Sequence, residues 1–279
     1  MVKFLGVFFL LITIQSIAGT HIGKISKIDL PVNRQELPLI LMEDGMVLKI
    51  KPEHKSDLND YFRAHSNGER LRIITNKRRQ IVAVENLGPE EIKVFESTES
   101  FASFEPTVLA TEVDVNNLFS KLKRGANSWS QCYNRAHVWS YESKVNQSVD
   151  TMKVFVFYTR KYIREYDFEW WFHVSPFTYV SGIERAEERV LDYRFSKAPV
   201  TMKKWTDLFM RNKVECTAIN KYSDYENNQE KAYCYLYRSS MFYYQPLDLE
   251  ALENTGKEKT NWVKWEVNNA YRNGFGFGW

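Results

Sequence analysis

The chain has 279 residues, 44% hydrophobic and 15% aromatic. That is enough for one large domain or two small ones with packed cores. A formal net charge of +3 leaves no basic footprint for nucleic acid. The basic runs at 77–79 and 121–124 are short and read as solvated surface. The five histidines are scattered, with no H-E-x-x-H and no paired-cysteine spacing, and no glycine-rich phosphate loop occurs. Neither a metal nor another cofactor is expected.

Lys3 precedes an apolar run over 4–14, and Ser16-Ile17-Ala18 follows with small residues at the two cleavage-site positions. This is the form of a secretory signal peptide, assigned to 1–19, and the run is too short for a membrane span. The expectation is a secreted or periplasmic monomer without stable membrane association. Residues 20–110 read as a β-rich N-terminal domain. Alternating stretches at 23–30, 46–50, 71–75 and 80–85 are strand candidates, with a turn at Asn76-Lys77. One helix is expected over 56–64, with Ser56 as its cap and Leu58, Tyr61 and Phe62 on one face. Composition changes after Gly88-Pro89, and a stretch rich in Ser, Glu and Thr over 95–106 reads as a linker.

The second region, 111–279, opens with apolar residues at helical spacing (Val115, Leu118, Phe119, Leu122) and Gly125 to end that helix. A loop then leads through Ser128-Trp129-Ser130-Gln131 into a helix that begins at Cys132 and runs to about Ser143. Ser128 or Ser130 is placed to cap it. In the first helical turn the free N–H groups and the helix dipole favour an anion, so a cysteine there is a candidate nucleophile. Strands are expected at 153–158, 170–176 and 190–195, and a helix capped by Thr201 over 202–211. The tail Gly274-Phe-Gly-Phe-Gly-Trp279 reads as an edge strand or a loose end.

Two partners for Cys132 lie downstream. His173 sits in the aromatic run Trp170-Trp171-Phe172-His173-Val174, 41 residues on, and Asp192 in Arg189-Val190-Leu191-Asp192-Tyr193, a further 19 on. Cysteine on a helix start, histidine on a strand and aspartate on the next is the papain and transglutaminase order. Singly, each has a bland reading: a lone core cysteine is usually inert, and a histidine among aromatics is usually a packed core residue. His137 is turned by roughly 140° from Cys132 on the helix, so it is assigned to packing or a bond to a neighbouring strand. Arg135 is assigned a structural role. Asp167, the rival carboxylate, lies in a polar turn. Trp129, Trp139, Trp170, Trp171, Tyr179 and Trp205 are assigned mostly to core rather than to a substrate cleft.

Of three cysteines, Cys216 and Cys234 flank the polar loop 220–231, and an exported chain should pair two. That pairing would leave Cys132 free and contribute about 3 kcal/mol in the chain-entropy model. Sequence alone leaves the other pairings open.

Cys132-Tyr-Asn-Arg135-Ala136-His137, followed by Trp171-Phe-His173-Val174 and Leu191-Asp192, resembles the bacterial protein-glutaminase family over roughly 114–244. The resemblance implies an α+β fold with a papain/transglutaminase-like core, a helix carrying the cysteine packed on an antiparallel sheet. It implies deamidation of protein or peptide glutamines by a Cys132–His173–Asp192 triad through a thioester. Family members are made as precursors, so residues 20–110 are read as an inhibitory pro-region, removed by a processing protease, or else as a permanent accessory domain. The competing functions are peptide-bond cleavage or transglutamination by the same triad, and a non-catalytic binding protein with this fold.

Overall fold

Alternating apolar and polar residues build the N-terminal part as strands. The computed structural model describes residues 17–31, 33, 36–89, 104–127 and 130–276. The expected signal segment up to residue 16, the linker over 95–103, Ser128, Trp129 and the last three residues lie outside them. The chain divides into two units, Met1–Ile40 with Leu48–Glu90, and Leu41–Val47 with Glu91–Trp279.

In the first unit, β1 (Ile17–Gly23), β5 (Glu69–Asn76) and β6 (Ile81–Pro89) form an antiparallel sheet in the order β1-β5-β6. β1 takes in the last three residues of the segment assigned to the signal. A second sheet joins β2 (Ile25–Asp29), β3 (Leu39–Met42) and β4 (Val47–Lys49). The β5–β6 turn is held by Asn76, whose Oδ1 accepts from the N–H of Arg78 and of Gln80. Helix α1 (Leu58–Ser66) buries Tyr61 and Ala64. Its N-cap is Asp57, which makes no side-chain cap bond, so the Ser56 cap is corrected. A 3-10 turn, Pro52–Asp57, takes up the residues where the helix was expected to begin.

The second unit is built on a six-stranded sheet ordered β10-β9-β8-β12-β11, with β7 also on β9. Its strands are β7 (Val108–Leu109), β8 (Met152–Tyr158), β9 (Phe172–Val180), β10 (Glu187–Val190), β11 (Thr217–Ile219) and β12 (Cys234–Ser240). The antiparallel centre β9-β8-β12 is buried along nearly its whole length, as its continuous apolar runs require. The helices are α2 (Glu112–Lys121), α3 (Cys132–Gln147), α4 (Arg160–Tyr166), α5 (Met202–Thr206), α6 (Tyr222–Asn227), α7 (Pro246–Thr255) and α8 (Lys264–Phe275). Among the described residues, no helix is long and apolar enough to cross a membrane.

Several expectations are corrected here. α2 starts on a capping box between Thr111 and Asp114 and ends at Lys121, before Gly125. α5 stops at Thr206, and the chain turns through 207–210 instead of continuing to 211. The loop at 220–231 contains α6. Gly274 and Phe275 close α8, with left-handed Gly276 as its C-cap, and so are neither edge strand nor loose end. Cys216 and Cys234 are bonded, and Cys132 is the free cysteine.

Candidate active site

Cys132 opens α3, which lies against β9 and α8 and buries ten of its sixteen residues. The residue before it, Gln131, is the N-cap and offers no side-chain bond. Ser130 does other work than capping: its carbonyl and its hydroxyl both accept from Arg135 Nη1, the latter at 3.0 Å. Arg135 thus ties the loop before the cysteine to the second turn of the same helix. With Gln131 as cap, the N–H groups of the first turn, that of Cys132 included, have no carbonyl partner within the helix.

His173 reaches the same place from β9, where it pairs across the sheet with Val156. The chain turns after β10 and brings back Asp192. Asp192 is therefore in a turn rather than on a strand, because its own side chain organises the chain that follows. Its Oδ1 accepts from Arg194 N at 3.2 Å, and its carbonyl accepts from Phe195 N and Ser196 N. The bond from Leu191 N to Pro176 O, 2.8 Å, holds the turn against β9.

The structure brings the three residues together. His173 Nε2 and Asp192 Oδ2 are 2.7 Å apart, and Cys132 is close enough to the imidazole for its sulfur to be among the groups that raise the His173 pKa. With Nε2 facing the carboxylate, Nδ1 is the nitrogen left for sulfur. All three are buried; Cys132, at 8% exposed, is the most open. Burial opposes a charge on His173, but the Asp192 carboxylate and the Cys132 sulfur outweigh it and raise its pKa to about 9. Burial likewise opposes a charge on Asp192. The His173 charge, the bonds from His173 and Trp205, and the Arg135 guanidinium outweigh that, and hold the carboxyl below its usual range. At neutral pH the arrangement is an imidazolium between a carboxylate and a sulfur.

Aromatic rings wall the imidazole. Trp170 stacks on it at 5.9 Å between centroids, and Phe195, Trp205 and Phe209 stand at 5.2, 5.5 and 4.9 Å. Phe195 is the exposed lip, at 36%. These rings keep water from the ion pair, which strengthens it.

The segment Leu41–Val47 pairs with the chain that leads into β9. Val47 N donates to Glu169 O, Trp171 N to Gly45 O, and Trp171 Nε1 to Met42 O, at 2.8, 2.9 and 2.7 Å. Gly45 has φ +91°, which permits the turn. The pairing ends two residues before His173.

His137 is assigned correctly by its helical angle. It is fully buried, and Lys153 of β8 donates to its Nδ1 at 2.8 Å and to Tyr243 O at 2.6 Å. Burial pushes both His137 and Lys153 well below their usual pKa. Asp167 is the left-handed C-cap of α4. Lys153 and the Trp205–Asp192 bond were missed. The signal for the first was a lysine inside an otherwise apolar strand; for the second it was only that a buried indole N–H needs an acceptor. Among the described residues no group of His, Cys, Asp and Glu could hold a metal ion.

Residues 115–209 match the family model described as glutaminase. That stretch contains Cys132, His173 and Asp192. Among solved structures, the chain is similar to the crystal structure of pro-protein-glutaminase, at 18% identity and a TM-score of 0.50, over 80% of this chain and 83% of that one. A mutant of pro-protein-glutaminase matches at the same identity and TM-score, over 82% and 84%. No curated protein matches. The likeness extends past the stretch that carries the motif, and the fold is the expected α+β one with a transglutaminase-like core.

Proposed function

We propose that this chain is an exported protein-glutamine deamidase. The observation that carries the reading is His173 bonded to the Asp192 carboxylate at 2.7 Å, with Cys132 near enough to act on its pKa, inside the stretch that matches the glutaminase model. Cys132 Sγ attacks the side-chain amide carbon of a glutamine. The tetrahedral oxyanion takes the backbone N–H of Cys132, free at the helix start. Its collapse breaks the C–N bond, and His173 Nδ1 gives its proton to the departing nitrogen, which leaves as ammonia. A thioester remains on Cys132. Water gives a proton to His173 and attacks the thioester carbon; the C–S bond breaks and glutamate is released. Asp192 holds the imidazole in place throughout and supports its positive charge.

Export rests on the form of the N-terminal apolar run. The N-terminal region is read as inhibitory. In support, Leu41–Val47 occupies the backbone of Glu169 and Trp171 just ahead of His173, and a pro-form is among the similar structures. The test is ammonia release from a glutamine-rich protein by the full chain before and after limited proteolysis, beside the Cys132→Ala chain. Ammonia without chain cleavage or crosslinks, rising on proteolysis and absent from C132A, supports the reading. Cleaved or crosslinked products would transfer the triad to another acyl transfer. Equal release before and after proteolysis would make the N-terminal region accessory.

A further inference from the structure

Asp192 Oδ2 accepts two hydrogen bonds. One is from His173 Nε2; the other is from the indole Nε1–H of Trp205, at 2.9 Å. Trp205 is fully buried and Asp192 is 1% exposed. The two residues come from separate elements, α5 and the turn after β10. The groups that face the carboxylate are His173 from β9, Trp205 from α5, Arg194 N from its own turn, and the Arg135 guanidinium from α3.

A carboxylate bonded only to an imidazole is free to turn, because the terminal torsion of Asp has a broad profile. Here Arg194 N holds Oδ1 and the indole holds Oδ2, so the carboxylate plane is set before His173 is added. The indole is itself anchored. Thr201 Oγ1 accepts from Lys204 N at the start of α5, and Val190 and Val200 exchange backbone bonds of 2.8 and 3.2 Å at the base of the turn. A buried indole donor is satisfied by any carbonyl. This one is aimed at a carboxylate, where the bond is charge-assisted and stronger.

We propose that Trp205 is a positioning residue for the reaction: its N–H fixes the Asp192 carboxylate and, through it, the ring of His173. The inference rests on the triad reading above. Trp205 also packs against the imidazole, so the two roles must be separated by removing the N–H while keeping a ring.

The experiment compares the full chain with Trp205→Phe, with Asp192→Ala, and with the double variant. A fourth chain carries benzothienylalanine at 205, an isostere with sulfur in place of the N–H. Two readings are taken: kcat and KM for ammonia release from a glutamine-containing peptide after limited proteolysis, and the low-field imidazole N–H resonance of His173 in the intact chain. Loss of one bond to a charged group predicts a kcat about tenfold or more lower. KM should stay unchanged, and the acid limb of kcat should move to higher pH as Asp192 becomes easier to protonate. In the Asp192→Ala background Trp205→Phe should cost nothing further, because the indole acts through the carboxylate. The resonance should shift or broaden in both ring-retaining variants. If Trp205→Phe does not fold, the isostere gives the same answer. Wild-type kcat with an unmoved resonance, or additive losses in the double variant, would overturn the proposal and leave Trp205 as packing. The resonance needs no turnover. If no glutaminase activity is found, it still decides the Trp205 proposal on its own.

Discussion

Raising the pH from 6 to 9.5 should destabilise the second unit through His173. The imidazole holds its proton more tightly in the folded chain, where its pKa is about 9 against an ordinary 6.5. The stability this contributes is fully present below pH 6.5 and is lost as the pH rises through 9. The shift corresponds to about 3 kcal/mol at 1.36 kcal/mol per pKa unit. The assay is urea unfolding followed by tryptophan fluorescence. All eight tryptophans lie in Glu91–Trp279, so the signal reports the second unit alone. With an m-value of roughly 2 kcal/mol/M, the midpoint should fall by about 1–2 M. Other groups contribute as well. Burial, chiefly, raises Glu266 to about 7, so its contribution is also lost on the way up, between its ordinary value and 7. The decisive comparison is therefore with His173→Asn, which keeps every other group. Wild type and variant should converge as the pH rises from 7 to 9.5. Parallel curves over that range would show that the Asp192–His173 pair does not hold the proton, and would remove the imidazolium from the mechanism.

Two further outcomes are expected. Replacing both Cys216 and Cys234 by alanine opens a closure spanning 18 residues and should cost about 3 kcal/mol in the same urea assay; a loss under about 1 kcal/mol would mean that β11 and β12 hold that loop without help. Gly45→Ala places a Cβ at φ +91°, 3.4 Å from the Phe172 ring, which should weaken the turn by about 1 kcal/mol or more. If Leu41–Val47 restrains the site, the full-length chain should release ammonia several-fold faster; an unchanged rate would detach the turn from regulation.

What the sequence disclosed here was local or periodic. Cys132 at a helix start needs only a loop, a helical pattern and a first turn. His137 could be set aside because five residues fix an angle on a helix. The Cys216–Cys234 bond followed from counting thiols in a chain expected to be exported. What stayed hidden depends on chain returning from far away. Trp171 Nε1 bonds Met42 O across 129 residues, and no spacing within either stretch announces it. Asp192 was named as the carboxylate from the sequence but placed on a strand, and it lies in a turn. Val190 and Leu191 carry β propensity, while the turn is made by an Asp side chain taking the N–H of Arg194, a competition that propensity does not score. Lys153 and His137 show the same limit from the other side. Each breaks the pattern of its own element, a lysine in an apolar strand and a histidine on a buried helix face. Only the sheet-to-helix contact reveals that the two exceptions bond each other. Trp205 belongs with them: in α5 it reads as one more buried aromatic, and its N–H acquires a meaning only from the carboxylate opposite.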